Sequence, residues 1–250
     1  MREIVTVPEA SIRAGAVRIG RRQMLACLLA APLAADAKDK ARFVEHGPLW
    51  RTLPVDVAGP IPFFIDEPDP KRGGRPGDRW LAERALHAWD DALEGWLCMT
   101  PAPAIEAALR IYWGMTGDRL GLMHAIEVGH YRGGEVYVDP NPERFHPQLA
   151  EACREDPLFR DAVVYLTLLH ETGHALGLVH TTGMRDAMYF GGDFVGFFKA
   201  YRAKLQTRED IRRHPGFSDE DLTRLRGLYP PEALLRQQLP QAPPKPDNSK

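Results

Sequence analysis

The segment that constrains this chain most is HETGHALGLVH, His170 to His180, which holds three histidines, one glutamate and two glycines in eleven residues. His170 and His174 stand four apart, so on a helix both imidazoles leave one face, one turn above the other. Two nitrogens so placed can meet one zinc ion at roughly 2.0–2.1 Å. Glu171 falls about 100° further round the helix. There it can flank a metal without ligating it, which is where a general base belongs. On a continued helix His180 would lie about 15 Å beyond His170 along the axis and could not touch the same ion. The chain must stop and turn back. Gly177 is suited to that, because glycine enters the left-handed conformation that ends helices without steric cost. Three neutral imidazoles with no thiolate describe a catalytic-type zinc site, which leaves a coordination position for water or substrate. A bare HExxH arises on helices by accident, but the longer pattern here specifies five positions and is not a chance match.

The rest of the chain bounds the setting. A length of 250 residues suits one medium domain with extensions, or at most two small domains. The net charge of -2 gives no electrostatic reason to expect nucleic acid. The basic residues between Arg208 and Arg213 are interleaved with Glu209 and Asp210 and read as a solvated face. No apolar run is long enough to span a bilayer. Near the N-terminus, Arg21 and Arg22 precede the apolar run Met24 to Ala35 and the small-x-small triplet Ala35-Asp36-Ala37. That order predicts an export signal over residues 1–37, of twin-arginine type, and a periplasmic or extracellular protein. The alternatives are an attached amphipathic helix or an uncleaved membrane anchor. Cys27 would leave with the signal. Cys98 and Cys153 would remain, either as a disulfide or as two buried thiols.

After a short irregular lead-in over 38–47, the pattern predicts a strand at Ile61–Ile65 and a loop at KRGGRPGD. A helix follows through RWLAERALHAWDDALEGW, with Leu81, Ala85, Ala88, Trp89 and Leu93 at helical spacing and Asp78 as its cap. ALRIYWG has a strand period, and GLMHAIEVGHYRGGEVYVD predicts two more strands with Val136 and Val138 on one face. Asp156-Pro157 opens the helix that carries the histidines, with Ala162, Leu166, Leu169 and Gly173 along its inner side. FSDEDLTRLRGLYP is a last helix, capped by Ser218, with Asp219, Glu220 and Asp221 in its first turn. Residues 231–250 are proline-rich and polar, and read as a disordered tail. The fold class is α+β, in one domain of roughly 180 residues, taken as a monomer by default.

The motif is similar to the metzincin signature HExxHxxGxxH, and TTGMRDAMYF supplies Met188 and Tyr189 for the methionine turn that follows it. Thr181 after the third histidine, and the spacing to Met188, resemble the matrixin branch. The resemblance implies a zincin-like metalloprotease domain over residues 48–230, with a twisted mixed sheet, an active-site helix and a C-terminal helix. It implies one catalytic zinc on His170, His174 and His180, with Glu171 as general base. Met188 would form a floor beneath the ligands and Tyr189 a pocket wall. The partner would be a protein or peptide substrate, extended along an edge strand; binding of zinc and peptide without cleavage is the alternative. Several positions depart from the family. Phe190 replaces an expected proline. His124 suits a second, structural zinc, but Tyr137 stands where another histidine belongs, so His124 and His130 read as ordinary polar residues. No cysteine-switch segment is recognisable. The 191–216 segment is long, and its Phe194, Phe197, Phe198 and Tyr201 either cover the pocket as a lid or pack into the core, with packing favoured. Asp139 and Asn141 are candidate calcium ligands or solvated loop residues.

Overall fold

The computed structural model describes residues 60–114, 116–128 and 131–230, together with Val55 and the strand Arg42–Phe43. The export signal, the tail over 231–250 and His130 lie outside these residues. In chain order the elements are β1 (Arg42–Phe43), β2 (Pro62–Ile65), α1 (Asp78–Ala92), β3 (Thr100–Pro101), β4 (Leu109–Trp113), β5 (Gly121–Val128), β6 (Tyr131–Val138), α2 (Pro147–Glu155), α3 (Pro157–Ala175), α4 (Phe194–Arg202) and α5 (Asp219–Leu228). The lead-in is therefore not wholly irregular, since it supplies β1.

The architecture is mixed α+β. A six-stranded sheet runs in the order β1-β5-β6-β4-β2-β3. Strands β6, β4, β2 and β3 are parallel neighbours, while β5 runs antiparallel to both β6 and β1. The register aligns Ile65, Ile111, Val136 and Met123 in one row across four strands. All four are buried, and α3 packs against β5, β6 and α1 to close the core over them. Arg110 breaks the simple alternation expected of β4. It points to the opposite side, yet is only 5% exposed. Its Nη1 donates to Glu135 Oε1 at 2.9 Å and its Nε to the Ala107 carbonyl at 3.1 Å. The charge is tolerated there because a carboxylate and a carbonyl replace water.

Asp78 is not the cap of α1. Gly77 occupies that position, and Asp78 is the first helical residue. The Asp78 carboxylate instead accepts from Arg75 N at 2.7 Å and forms a buried pair with Arg160 of α3. Helix α1 stops at Ala92 because Glu94 and Gly95 turn into positive φ. Asp156 does cap α3, accepting from Leu158 N at 3.0 Å. Ser218 and Asp221 cap α5 reciprocally. The 191–216 segment packs: Phe198 and Tyr201 are buried, and the Tyr201 ring stacks on Tyr165 of α3 at 5.8 Å. Cys153 on α2 is a buried free thiol, so it does not pair with Cys98. Among the described residues, no helix is long and apolar enough to cross a membrane.

Candidate metal centre

Helix α3 ends one residue short of the turn that the motif requires. Ala175 is its last residue, and Gly177 takes φ 97°. Gly177 N donates to His174 O and Leu178 N to Gly173 O, both at 2.9 Å. That pair of bonds is the glycine-centred helix stop. The Leu176 carbonyl beside it accepts from the Tyr229 hydroxyl at 2.9 Å. The chain then doubles back and delivers His180 to the other two rings.

The three imidazoles converge through their Nε2 atoms. His180 Nε2 lies 3.0 Å from His174 Nε2 and 3.2 Å from His170 Nε2. On the outer sides, His170 Nδ1 meets the Ala187 carbonyl and His174 Nδ1 the Leu178 carbonyl, each at 2.8 Å. A carbonyl only accepts, so both rings carry their proton on Nδ1 and direct an Nε2 lone pair inward. Burial lowers the pKa of His170 to about 3, with His174 as the next cause. Burial likewise lowers His174 to about 4 and lowers His180. All three are neutral near pH 7.

Neutral rings with lone pairs turned on one point suit a cation. A tetrahedral ion with metal–nitrogen bonds of about 2.0–2.1 Å holds its nitrogen ligands about 3.3 Å apart, close to the 3.0 and 3.2 Å found here. A proton on His180 Nε2 would satisfy one neighbour and leave the second lone pair opposed. The triad is close enough to bind a metal, and the donor set fits zinc.

Glu171 is 8% exposed and sits under the start of β5. A Cβ added to Gly121 would come within 2.6 Å of Glu171 Cγ and 2.7 Å of Thr167 Cγ2. The strand backbone thus runs directly over the carboxyl. Burial pushes the Glu171 carboxyl up to about 8, opposed by the Arg119 guanidinium. A group held near neutrality can both take and return a proton.

Met188 is fully buried. Its Sδ would be 2.5 Å from a Cβ on Gly173, so the glycine inside HETGH makes room for the methionine. The loop between the third histidine and Tyr189 is closed by Thr181 N to Met188 O and Phe190 N to Thr181 O, both 2.8 Å. This closure aims the Ala187 carbonyl at His170. Tyr189 is half-buried against Phe197, with ring centroids 5.4 Å apart. Phe190 is 69% exposed and lies flat on His180, centroids 4.4 Å apart and planes 13° off parallel. An aromatic ring there replaces proline with a stack on a candidate ligand.

Two contributors escaped sequence reading. Asp221 Oδ2 accepts from Ala187 N at 2.6 Å, bracing the loop that holds His170. Its place in the first turn after the Ser218 cap was legible, but not the reach of its carboxylate to a residue 34 positions away. Gly121 carried no motif at all. The residues weighed for other ions are engaged locally. The His124 ring packs edge-on against Tyr137 at 5.8 Å. Asp139 accepts from Asn141 N at 2.8 Å and pairs with Arg144 at 3.1 Å.

No protein-family model matches the chain, and no curated protein matches it. The functional reading therefore rests on the site.

Proposed function

We propose that the chain is a zinc-dependent endopeptidase of the metzincin type, matrixin-like, with a zincin-like catalytic domain. The observation that carries this reading is the convergence of three Nε2 atoms beside a buried carboxyl. His170, His174 and His180 hold the ion. When bound, zinc supplies Lewis acidity that polarises the scissile carbonyl and brings the pKa of water toward ~7. Glu171 takes the proton of the attacking water and returns it to the leaving amine, a contribution of ~10²–10⁴-fold. Met188 supports the ligands from below. A peptide lies extended along the outer edge of β5, whose far end, Ile126 and Glu127, is already paired with β1. The arginine pair and apolar run ahead of Ala37 support action after export.

The test combines metal analysis with turnover of quenched peptides. The reading expects about one zinc per chain, turnover abolished by a chelator and restored by zinc, and a Glu171→Gln variant that keeps its zinc but loses ~10²-fold or more in kcat. A zinc-loaded chain that cleaves nothing in a broad peptide library would be a binding module instead.

A further inference from the structure

A cavity of about 280 Å³ lies on the other side of α3 from the histidines. Tyr165, in its wall, is about 140° round the helix and about 7.5 Å along it from His170. Helix α1 contributes Arg84, Ala88 and Asp91, and the segment leading to α5 contributes Arg212 and Phe217. The Tyr165 hydroxyl is already spent on the Pro215 carbonyl at 2.7 Å. The cavity is slightly below the ~300–1,000 Å³ range usual for ligand sites, so only a small ligand fits.

Its two guanidiniums are unusual for this molecule. Arg84 Nε is buried with no hydrogen-bond partner. Of the nearby carboxylates, Glu83 pairs with Arg79, Asp161 with Arg208 and Asp210 with Arg213, while Asp91 lies in the cavity wall itself. Among the described residues, neither Arg84 nor Arg212 has a carboxylate in ion-pair contact. Arg212 rests instead over the Trp80 ring at 5.6 Å. Arg84 and Arg212 line the same cavity; burial lowers the pKa of Arg84 and the like charge of Arg212 lowers it further, while Asp91 and Glu83 oppose the shift. A buried N–H without an acceptor is costly, and so are like charges without a counter-ion.

We propose that this cavity binds a small monocarboxylate with an apolar body. The carboxylate would bridge Arg84 and Arg212, matching the planar fork of a guanidinium. The apolar body would rest on Ala88 and on Phe217, itself stacked on Trp89 at 5.3 Å. Asp91 in the same wall disfavours a doubly charged head, so phosphate is a poor ligand.

The test is a titration of the full zinc-loaded chain at constant ionic strength with benzoate, benzyl alcohol or inorganic phosphate, followed by thermal midpoint. Benzoate should raise the midpoint saturably, and the other two should not. Arg212→Ala, at an exposed position that does not threaten folding, should weaken benzoate by about 10-fold or more, and Arg84→Gln likewise. The same Arg212-dependent shift should persist in metal-free protein. No saturable shift, a shift untouched by Arg212→Ala, a shift reproduced by phosphate or benzyl alcohol, or one that vanishes with zinc would each overturn the proposal.

Discussion

Asp221 and His170 are joined through a single residue: Asp221 Oδ2 accepts from Ala187 N at 2.6 Å, and Ala187 O accepts from His170 Nδ1 at 2.8 Å. The C-terminal helix thereby fixes the tautomer and orientation of a candidate metal ligand that it never touches. Partners of this kind are commonly worth 10–100-fold in metal affinity. Asp221→Ala should cost about that much zinc affinity, and the orphaned Ala187 and Ser218 amides should destabilise the fold by roughly 1–3 kcal/mol each. Asp221→Asn keeps an acceptor in place and should recover most of both losses. Competition with a chromophoric chelator measures the affinity, and denaturant melts the stability. Wild-type affinity in Asp221→Ala would remove the positioning role.

Gly177 at φ 97° ends α3 and returns the chain to the site. A side chain in the left-handed region costs roughly 1–2 kcal/mol, so Gly177→Val should be destabilised by at least that and should hold His180 poorly. Gly177→Asn should be tolerated best, because asparagine enters that region more readily. Zinc retained per chain after dialysis orders the variants: glycine, then asparagine, then valine.

Much of this site was legible because it is local. Two histidines, a glutamate and a helix-ending glycine sit in one helical turn and its stop, and short-range geometry governs them. What was not legible is long-range. The braces from Asp221 and Tyr229 reach the helix end from the far end of the chain. The sheet order, in which β4 lies between β6 and β2, depends on pairings that alternation alone does not specify. The strand period of ALRIYWG does not show that Arg110 is buried, because its partner, Glu135, comes from another strand. Helix α2 gave little signal, since its N-terminal cap is a histidine ring nitrogen, His146 Nδ1 accepting from Gln148 N at 3.3 Å, rather than a usual capping side chain.

Gly121 offers a separation of catalysis from metal binding. A methyl group there would press on Glu171 Cγ and Thr167 Cγ2, with backbone on one side and helix on the other. None of the three histidines is among its nearest contacts. Under the proposed function, Gly121→Ala should keep zinc at wild-type stoichiometry while kcat falls toward the level of the Glu171 variant. Unchanged kcat would mean that the carboxyl has more room than this geometry gives it.

Under the proposed function, removing the metal should weaken the fold as well as stop turnover. Three neutral rings with Nε2 atoms 3.0 and 3.2 Å apart oppose their lone pairs once the ion leaves. A ligand present at 100 times its Kd stabilises the folded state by ≈ 2.7 kcal/mol. Excess chelator should therefore lower Tm by several degrees, and stoichiometric zinc should restore it. Magnesium should not, because it favours oxygen ligands over imidazole.

The opposite end of α3 allows stability to be changed without touching the site. Arg160 is 1% exposed and Asp78 fully buried. The guanidinium meets both carboxylate oxygens, one of them at 2.8 Å, and the Pro140 carbonyl as well. Asp78→Ala would leave the buried guanidinium with only the longer 3.4 Å contact to Asp161 as a counter-charge. Losing one partner of such a pair typically costs 3–5 kcal/mol, although a well-packed apolar replacement of both partners can be neutral. The single variant should therefore fold marginally. The double variant Asp78→Leu with Arg160→Met should recover much of the loss, as read from denaturant midpoints. Arg160 is about 15 Å along the helix from His170, so zinc affinity in the folded double variant should match wild type. A large drop in that affinity would show that the pair sets the register of α3 against α1, and that the metal centre depends on the whole helix and not only on its last two turns.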